Sequence, residues 1–274
     1  MIDSIRISIT QRCNLSCPYC HREGQLPSKE EMSLDKIKEI INAVKKVGIR
    51  KIKITGGEPL LRKDIIEIIR TIKEKNFDDI SLVTNGVLLE KYAKKLKDAG
   101  LDRINIGCDS LTSGNLKNKE QIIGGLKRAK EVGLYPIKIN MVVLKGINEN
   151  QIDGMIEFAK ENDVILQLIE LIKTSTNEEF YKKHYFDLSN IEKELEKKAL
   201  MVIKRRMQNR KQYDLGDIKI EVVRPFHNKF CENCRRIRIT SDGKIKTCLL
   251  RNDNLIDFEG EESIIKAIKL KEGK

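Results

Sequence analysis

The sequence opens on Ile5-Arg6-Ile7-Ser8-Ile9-Thr10, a β-branched run, and then reads Cys13-Asn14-Leu15-Ser16-Cys17-Pro18-Tyr19-Cys20. Apolar and polar residues alternate in the first stretch, which predicts a strand, so the C-x3-C-x2-C run places three thiols on the loop after it. Three thiolates suit a [4Fe-4S] cluster, whose four irons usually take four cysteines, and one iron would be left open. The alternatives are buried free thiols, or a zinc site that borrows a fourth ligand such as His21, although structural zinc prefers pairs of Cys-x2-4-Cys.

The pattern of strand, loop and helix repeats as far as Leu171. The β-branched runs are Ile5–Thr10, Lys51–Thr55, Ile80–Thr84, Arg103–Gly107, Ile137–Val143 and Ile165–Leu171. Six βα units in succession predict a parallel sheet. We therefore expect an α/β fold in which residues 1–173 form a partial (βα)6 TIM-like barrel. Residues 174–274, where the pattern breaks, are expected to form a mostly β extension that closes the barrel.

Several of these strands carry polar side chains on one face. Arg6 and Ser8 alternate with isoleucines in the first strand, Lys53 does so in the second, and Lys138 and Asn140 do so in the fifth. Side chains two residues apart share a face of a strand. Because the outer face must meet the apolar helices, we expect the polar set to face inward and to line a basic cavity.

Composition points to an anionic partner. The chain of 274 residues has 53 Lys and Arg against 41 Asp and Glu, a formal net charge of +12. Nucleic acid is the weaker candidate because the charges are dispersed and there is no Trp, with only seven Phe and six Tyr to stack bases. No apolar run has the roughly 20 residues of a membrane span, and no signal peptide is recognisable, so we expect a cytoplasmic protein. Seven cysteines in such a chain favour metal binding or catalysis over disulfides.

The loop after the second strand reads Gly56-Gly57-Glu58-Pro59. Two glycines allow the backbone to approach a ligand closely. Glu58 supplies a carboxylate at the sheet edge where parallel sheets bind ligands. The loop therefore predicts a ligand site beside the cysteine loop.

A second cysteine set, Cys231-x2-Cys234-x13-Cys248, lies near the end of the chain. The segment between Ile237 and Cys248 predicts a hairpin that turns at Asp242-Gly243 and returns Cys248 towards the other two thiols. A second cluster with an open iron is one interpretation; a Cys3His zinc site completed by His227 is the other. Arg236 and Arg238 share one face of the predicted strand, and two guanidinium groups there would suit an anionic substrate such as a phosphate.

Together these motifs resemble the radical S-adenosylmethionine (SAM) enzymes. The resemblance rests on the first cysteine run with Tyr19, on Gly56-Gly57-Glu58-Pro59, on Thr84-Asn85-Gly86 and on the three C-terminal cysteines. Within that class the chain is similar, over residues 4–258, to the GTP 3′,8-cyclase family of molybdenum-cofactor biosynthesis. The most specific part is the C-terminal cysteine spacing followed by the two arginines.

The resemblance implies two [4Fe-4S] clusters and SAM as cofactors. The first cluster, on Cys13, Cys17 and Cys20, would bind SAM and cleave it to a 5′-deoxyadenosyl radical. The second, on Cys231, Cys234 and Cys248, would hold the guanine base. The radical would remove the ribose 3′ hydrogen, and that carbon would attack C8 to give 3′,8-cyclo-7,8-dihydro-GTP.

The resemblance also assigns contacts and partners. The implied SAM contacts are Tyr19, Gly56, Gly57, Glu58, Gly107 and Ile172. The implied GTP contacts are Arg6, Lys53, Thr84, Lys138, Arg236, Ile237 and Arg238. The implied partners are a low-potential electron donor and, downstream, cyclic pyranopterin monophosphate synthase; a monomer and a homodimer both remain open, and neither nucleic acid nor membrane is expected.

The chain departs from the family pattern at three points. It ends Lys271-Glu272-Gly273-Lys274 where the family often has a Gly-Gly tail, Gly107 stands where serine is common, and Lys53 stands where arginine is common. Two rival functions remain: another radical SAM enzyme with an auxiliary cluster, such as a peptide maturase, and a basic zinc-binding nucleic-acid protein. We expect Cys108 to be a buried thiol and the basic run from Lys204 to Lys211 to be solvated.

Overall fold

The structure, a computed structural model, describes residues 2–114, 116–174, 177–227 and 229–273. The strands are β1 (Ser4–Ser8), β2 (Lys51–Thr55), β3 (Asp79–Thr84), β4 (Arg103–Gly107), β5 (Ile137–Val143), β6 (Ile165–Glu170), β7 (Met201–Lys204), β8 (Lys211–Asp214), β9 (Lys219–Val223), β10 (Arg236–Ile239) and β11 (Ile245–Lys246). The helices are α1 (Leu34–Lys46), α2 (Ile65–Glu74), α3 (Leu89–Asp98), α4 (Lys119–Glu131), α5 (Ile152–Glu161), α6 (Glu178–His184), α7 (Ser189–Lys198) and α8 (Glu261–Glu272). Short 3₁₀ turns lie at Arg22–Gly24, Pro59–Leu61, Glu149–Gln151 and Met207–Asn209.

All the strands belong to one sheet, in the order β11-β10-β1-β2-β3-β4-β5-β6-β9-β8-β7. The six predicted βα strands are parallel neighbours in sequence order, which confirms the α/β partial barrel. The C-terminal extension adds strands at both edges: β10 pairs parallel with β1, and β9 pairs parallel with β6. Within the described residues, the hydrogen-bonded ladder ends at β11 and β7, so the barrel stays open there.

The helices cover the outer face of the sheet because their apolar residues recur at helical spacing. Helix α1 buries Ile37, Ile40, Ile41 and Val44, and α2 buries Ile65, Ile68, Ile69 and Ile72. These side chains join the outward isoleucines of β1 and β2 in one continuous core. The polar residues of the strands are thereby left for the inner face.

Strand register places the polar residues in rows across the inner face. One row runs from Lys246 on β11 through Arg238 on β10 and Arg6 on β1 to Lys53 on β2. A second row joins Asn140, Gln167, Glu221 and Gln212 on β5, β6, β9 and β8. The predicted inward-facing polar set is confirmed.

Some local expectations need correction. The sequence Ser189-Asn190-Ile191-Glu192 predicts a capping box at the start of α7. Ser189 is instead the first helical residue, and its N–H donates to Asp187 Oδ1 at 2.7 Å. The predicted hairpin at Asp242-Gly243 is confirmed by antiparallel pairing of β10 with β11 and by φ +92° at Gly243. None of the helices in the described part of the chain is both long and apolar enough to cross a membrane.

Candidate active site

The first cysteine loop leaves the carboxyl end of β1 and holds free thiols. Cys13 and Cys20 are exposed and Cys17 is half-buried. Backbone N–H groups donate to two of the sulfurs: Leu15 N lies 3.4 Å from Cys13 Sγ, and Arg22 N lies 3.4 Å from Cys20 Sγ. Hydrogen bonds to sulfur are among the features that tune iron–sulfur clusters. The loop therefore offers both the thiols and the N–H donors to sulfur that a cluster site needs.

The Gly-Gly-Glu loop lies directly against the start of this cysteine loop. Gly57 N donates to Thr10 O at 2.8 Å, and Glu58 N donates to Arg12 O at 2.7 Å. A β-carbon on Gly57 would overlap the Arg12 carbonyl oxygen, and one on Gly56 would lie 2.7 Å from Thr10 O. This close backbone contact between the two loops therefore requires glycine at positions 56 and 57, whether or not a ligand also approaches them.

Glu58 is fully buried and its carboxylate is saturated by protein donors. It accepts hydrogen bonds from Leu60 N at 3.0 Å, Thr84 Oγ1 at 2.7 Å and Asn85 N at 2.7 Å. Burial raises the pKa of Glu58, and these hydrogen bonds offset part of that rise. Asn85 in turn donates to Asn14 Oδ1 at 2.8 Å. Glu58 therefore locks the ends of β2 and β3 beside the cysteine loop.

Tyr19, within the cysteine loop, has a buried side chain, and its hydroxyl donates to the buried Asp109. Asp109 also accepts Val142 N at 2.8 Å and forms an ion pair with Lys117 at 3.2 Å. Burial, and then the charge of Asp109, raise the pKa of Tyr19 well above its usual range. A β-carbon on Gly107 would collide with Lys117 Nζ, so that ammonium group occupies the space over the end of β4.

The other predicted SAM contact, Ile172, follows β6, and its carbonyl accepts Asn177 Nδ2 at 2.9 Å. Cys108 is fully buried, as expected, and burial raises the pKa of its thiol to about 12.

The second cysteine set sits at the other end of the inner face. Cys231 is exposed, while Cys234 and Cys248 are half-buried, and all three thiols are free. Burial, and then the neighbouring Cys248 and Cys234, raise the pKa of Cys231, so the three sulfurs influence one another. Within residues 2–114, 116–174, 177–227 and 229–273, no three Cys, His, Asp or Glu side chains already converge as a single-ion site.

The two histidines considered as zinc ligands face other partners. His227 Nε2 lies 3.5 Å from Tyr185 Oη and 3.8 Å from Glu170 Oε2. His21 Nδ1 accepts Glu23 N at 3.1 Å, and burial lowers the pKa of His21. Each contact engages one of the two ring nitrogens of its histidine.

Two of the predicted GTP-binding arginines share one carboxylate. Arg238 Nη1 lies 2.9 Å from Glu23 Oε2, and Arg6 Nε lies 3.4 Å from the same oxygen. Burial raises the pKa of Glu23, but the charges of Arg6 and Arg238 outweigh burial and lower it to about 2. Glu23 is therefore a carboxylate at neutral pH. It is the negative member of a charge cluster with Arg6 and Arg238, which the sequence did not reveal.

Lys138 is neutralised in a separate cluster. Its Nζ lies 2.5 Å from Glu221 Oε1, and Glu221 also accepts Gln167 Nε2 at 2.6 Å. Arg205 and Arg210 approach the same carboxylate at 3.2 Å and 3.8 Å. Burial raises the pKa of Glu221, but Lys138 and Arg210 lower it to about 2.

The basic run from Lys204 to Lys211 was expected to be solvated, and for Arg210 this is wrong. Its side chain is only 19% exposed and points at Glu221, because the antiparallel pairing of β8 with β9 returns the chain to the inner face.

Lys53 and Arg236 are the unbalanced cations of the cavity. Among the described residues, neither has a carboxylate within ion-pair distance; Lys53 Nζ contacts only Asn105 Oδ1, at 3.3 Å, and Arg236 Nε has no hydrogen-bond partner. Burial, and then neighbouring Arg103 and Arg236, lower the pKa of Lys53 well below its usual range. Burial, and then Arg6 and Arg238, do the same to Arg236. An anion placed between these two groups would relieve their mutual repulsion.

The structure separates the predicted GTP contacts into two places. Arg6, Lys53, Lys138, Arg236 and Arg238 all face the inner cavity, and Ile237 lies between the two arginines on β10. Thr84 instead belongs to the Gly-Gly-Glu loop, because its hydroxyl donates to Glu58. Residues that sequence reasoning missed are Glu23, Asp109, Lys117, Arg210 and Glu221. A carboxylate at Glu221, between apolar residues of a strand, was the one local signal available.

Three free thiols on the loop after β1, joined to a Gly-Gly-Glu loop on a partial βα barrel, define a radical SAM architecture. A model of the Radical SAM superfamily matches residues 7–159, and a model described as Molybdenum Cofactor Synthesis C matches residues 164–265.

Curated relatives cover nearly all of the chain. A probable GTP 3′,8-cyclase of Methanothermobacter marburgensis is 48% identical over 93% of this chain and 86% of its own length. That of Pyrococcus horikoshii is 46% identical over 94% of this chain and 87% of its own, and that of Archaeoglobus fulgidus is 43% identical over 98% and 93%. The chain therefore belongs to the radical SAM superfamily and, within it, to the GTP 3′,8-cyclase family.

The fold also resembles a solved structure, Streptococcus suis SuiB bound to precursor peptide SuiA. The TM-score is 0.76 at 19% identity, with 99% of this chain and 66% of that chain covered. At this identity the likeness concerns the fold alone.

Proposed function

We propose that this protein converts GTP to 3′,8-cyclo-7,8-dihydro-GTP, the first step of molybdenum-cofactor biosynthesis, with two [4Fe-4S] clusters and SAM. The observation that carries the proposal is the placement of two sets of three free thiols at opposite ends of one cationic inner face. Each set would leave one iron of a four-iron cluster without a protein ligand. One set can serve the cofactor and the other the substrate.

Cys13, Cys17 and Cys20 would hold the first cluster, which with SAM supplies the radical chemistry. The chain's own groups prepare this place: Glu58 fixes the Gly56-Gly57 backbone against the cysteine loop, and Tyr19 is anchored by Asp109. Gly107 and Ile172, at the ends of β4 and β6, would complete the SAM contacts. Lys117 adds a half-buried ammonium group at this end of the sheet.

Cys231, Cys234 and Cys248 would hold the second cluster beside the substrate. Arg236 and Lys53, which lack a carboxylate partner within the described chain, are the natural first contacts for a triphosphate. Arg6, Arg238 and Lys138 are already charge-paired and would add directed N–H donors. The Ile237 backbone, and Thr84 from the end of β3 beside the Gly-Gly-Glu loop, would complete the proposed contacts.

The decisive experiment is anaerobic turnover. Reconstituted protein is supplied with SAM, dithionite and GTP, and the products are separated by chromatography with mass detection. We expect a cyclised nucleotide and 5′-deoxyadenosine in comparable amounts, and neither from Cys17→Ala. SAM cleavage without cyclised nucleotide would instead favour a different substrate, such as the peptide of a maturase, and zinc without iron would favour the nucleic-acid-binding alternative.

The remaining assignments complete the proposal. Residues 1–173 would be the radical-forming unit and residues 174–274 the substrate-anchoring extension. A low-potential reductant would supply the electron, and cyclic pyranopterin monophosphate synthase would take the product. The protein would work in the cytoplasm as a monomer or homodimer.

A further inference from the structure

The segment His21–Gln25, which we term the bridging segment, connects the first cysteine loop to the far end of the cavity. It follows Cys20 directly. A β-carbon on Gly24, where φ is +65°, would overlap the Leu249 carbonyl oxygen, so the segment lies against the residue after Cys248. Gln25 Oε1 accepts Ser241 N at 2.6 Å from the β10–β11 turn. The segment is thus a direct physical link between the two cysteine sets.

Glu23 is the inward-facing residue of this segment. Its Oε2 contacts Arg238 Nη1 at 2.9 Å and Arg6 Nε at 3.4 Å, while its Oε1 accepts Thr55 Oγ1 at 3.0 Å. Only 8% of Glu23 is exposed. The side chain therefore spans Arg6 and Arg238, two of the three arginines proposed to bind GTP, and Thr55, the residue immediately before the Gly-Gly-Glu loop.

The backbone of Glu23 is strained. Its φ is +55°, in the left-handed region, which costs a residue other than glycine about 1 kcal/mol. Such strain persists only where surrounding contacts impose it, and it is concentrated at functional sites. Here the conformation turns the carboxylate inward to meet the arginines, so the strain is tied to that charge cluster.

The geometry of these contacts indicates that Glu23 orients Arg6 and Arg238 as well as neutralising part of their charge. Glu23 Oε2 accepts a hydrogen bond from Arg238 Nη1 and lies at ion-pair distance from Arg6 Nε, which has no hydrogen-bond partner among the described residues. Both guanidinium groups therefore keep other N–H donors for the cavity. The space lined by Arg6, Glu23, Arg238 and Lys246 is only about 10 Å³, room for a single water molecule. The arginines are therefore held together closely at Glu23, and a bound nucleotide meets groups whose directions are already set.

We propose that Glu23 is a positioning residue, which holds Arg6 and Arg238 in the orientation that presents the nucleotide to the radical formed beside Cys20. This inference rests on the proposed function. Without the carboxylate, the cavity gains net positive charge and still attracts a triphosphate. The arginines lose their shared carboxylate. The radical still forms, but fewer radicals remove the 3′ hydrogen of the ribose.

Glu192 provides a matched control. It is also 8% exposed, its Oε2 accepts Arg224 Nη1 at 3.1 Å, and its Oε1 accepts the Tyr213 hydroxyl at 3.0 Å. Glu192→Gln thus removes the charge from an equivalent buried contact away from the cavity. Any general loss of stability should affect both variants alike.

The test compares wild type, Glu23→Gln, Glu23→Asp and Glu192→Gln as reconstituted holoenzymes. Calorimetry gives the Kd for GTP, and turnover gives cyclised nucleotide formed per 5′-deoxyadenosine released. For Glu23→Gln we expect a Kd within about threefold of wild type, because anion attraction is kept. The product ratio should fall about tenfold, because orientation is lost. Glu23→Asp, which keeps the charge but is one methylene shorter, should lie between, and Glu192→Gln should keep the wild-type ratio.

A wild-type product ratio in Glu23→Gln, or an equal fall of that ratio in Glu192→Gln, would overturn this inference but not the proposed function. Weaker GTP binding with an unchanged ratio would also overturn it, because Glu23 would then serve affinity rather than orientation. If Glu23→Gln does not fold, Glu23→Asp carries the same test. A wild-type protein that cyclises no GTP would overturn the proposed function and this inference together.

Discussion

Arg6 of β1 and Arg238 of β10 are register partners on neighbouring parallel strands, although 232 positions separate them in the chain. Lys53 and Lys246 extend the same row on either side. Like charges side by side on a sheet are destabilising. The single carboxylate of Glu23 offsets part of this repulsion, so the row keeps an excess of positive charge. That excess is available to an anionic ligand, and the predictions below follow from it.

Lys53→Met should stabilise the protein and weaken GTP binding. Lys53 is half-buried without a carboxylate partner among the described residues, so an apolar side chain of similar length removes a partly desolvated charge. We expect Tm to rise by about 2–4 °C and GTP affinity to fall about tenfold. Thermal unfolding and calorimetry measure the two effects. Lys138→Met is the control: it strips a partner from buried Glu221, so its Tm should fall.

Arg236→Ala and Arg238→Ala should differ in stability while both weaken GTP binding. Arg236 has no ion-pair partner in the described chain, whereas Arg238→Ala leaves Glu23 with a weaker set of partners. We therefore expect a fall in Tm for Arg238→Ala alone, corresponding to about 1–3 kcal/mol. SAM cleavage should stay largely intact in both. Equal loss of GTP binding and SAM cleavage would show that the arginines are structural.

GTP binding should be accompanied by proton uptake. Burial, and then the neighbouring Arg103 and Arg236, lower the pKa of Lys53 well below its usual range, and an adjacent triphosphate would raise it. Protons are then taken up at any pH between the two values, and uptake fades as the pH falls below the lower one. Calorimetric titration near pH 8, in phosphate and in Tris, separates uptake from the binding heat. Lys53→Met should show less uptake; identical wild-type heats in both buffers would refute the prediction.

Iron content should follow the two thiol sets independently. Anaerobically reconstituted wild type should contain about eight irons per chain, and Cys231→Ser or Cys17→Ser about four. Cys231→Ser should still cleave SAM, because its first set is intact, whereas Cys17→Ser should not. Iron analysis, electron paramagnetic resonance and 5′-deoxyadenosine release check this. Loss of all iron from Cys231→Ser would mean that the two sites do not load separately.

Local sequence pattern was enough for the barrel strands. The predicted bounds of β2, β4 and β5 agree residue for residue with the structure, because a β-branched run bounded by loops leaves little choice of where the strand begins and ends. The C-terminal region was harder to predict. Helices α6 and α8 and strand β8 are short or strongly polar, so that tertiary pairing rather than periodicity decides them.

The inward basic face was predictable because alternation alone places Arg6, Lys53 and Lys138 on one side. Their carboxylate partners were not. Glu23 reaches the cavity through a left-handed backbone, and Glu221 reaches Lys138 through parallel pairing of β9 with β6. Neither leaves a periodic signal, since the partners lie on elements that are distant in the chain.

The bridging segment bears on how the protein is made. Glu23 and Gln25 bind Arg238 and Ser241, which are synthesised 215 and 216 residues later. During translation the first three cysteines are exposed long before the strand that supports their loop exists, because a growing chain folds from its N-terminal end. We therefore expect iron loading at the first site to require the completed chain. Truncation before β10 would impair radical formation as well as substrate binding, although every ligand of the first cluster would still be present.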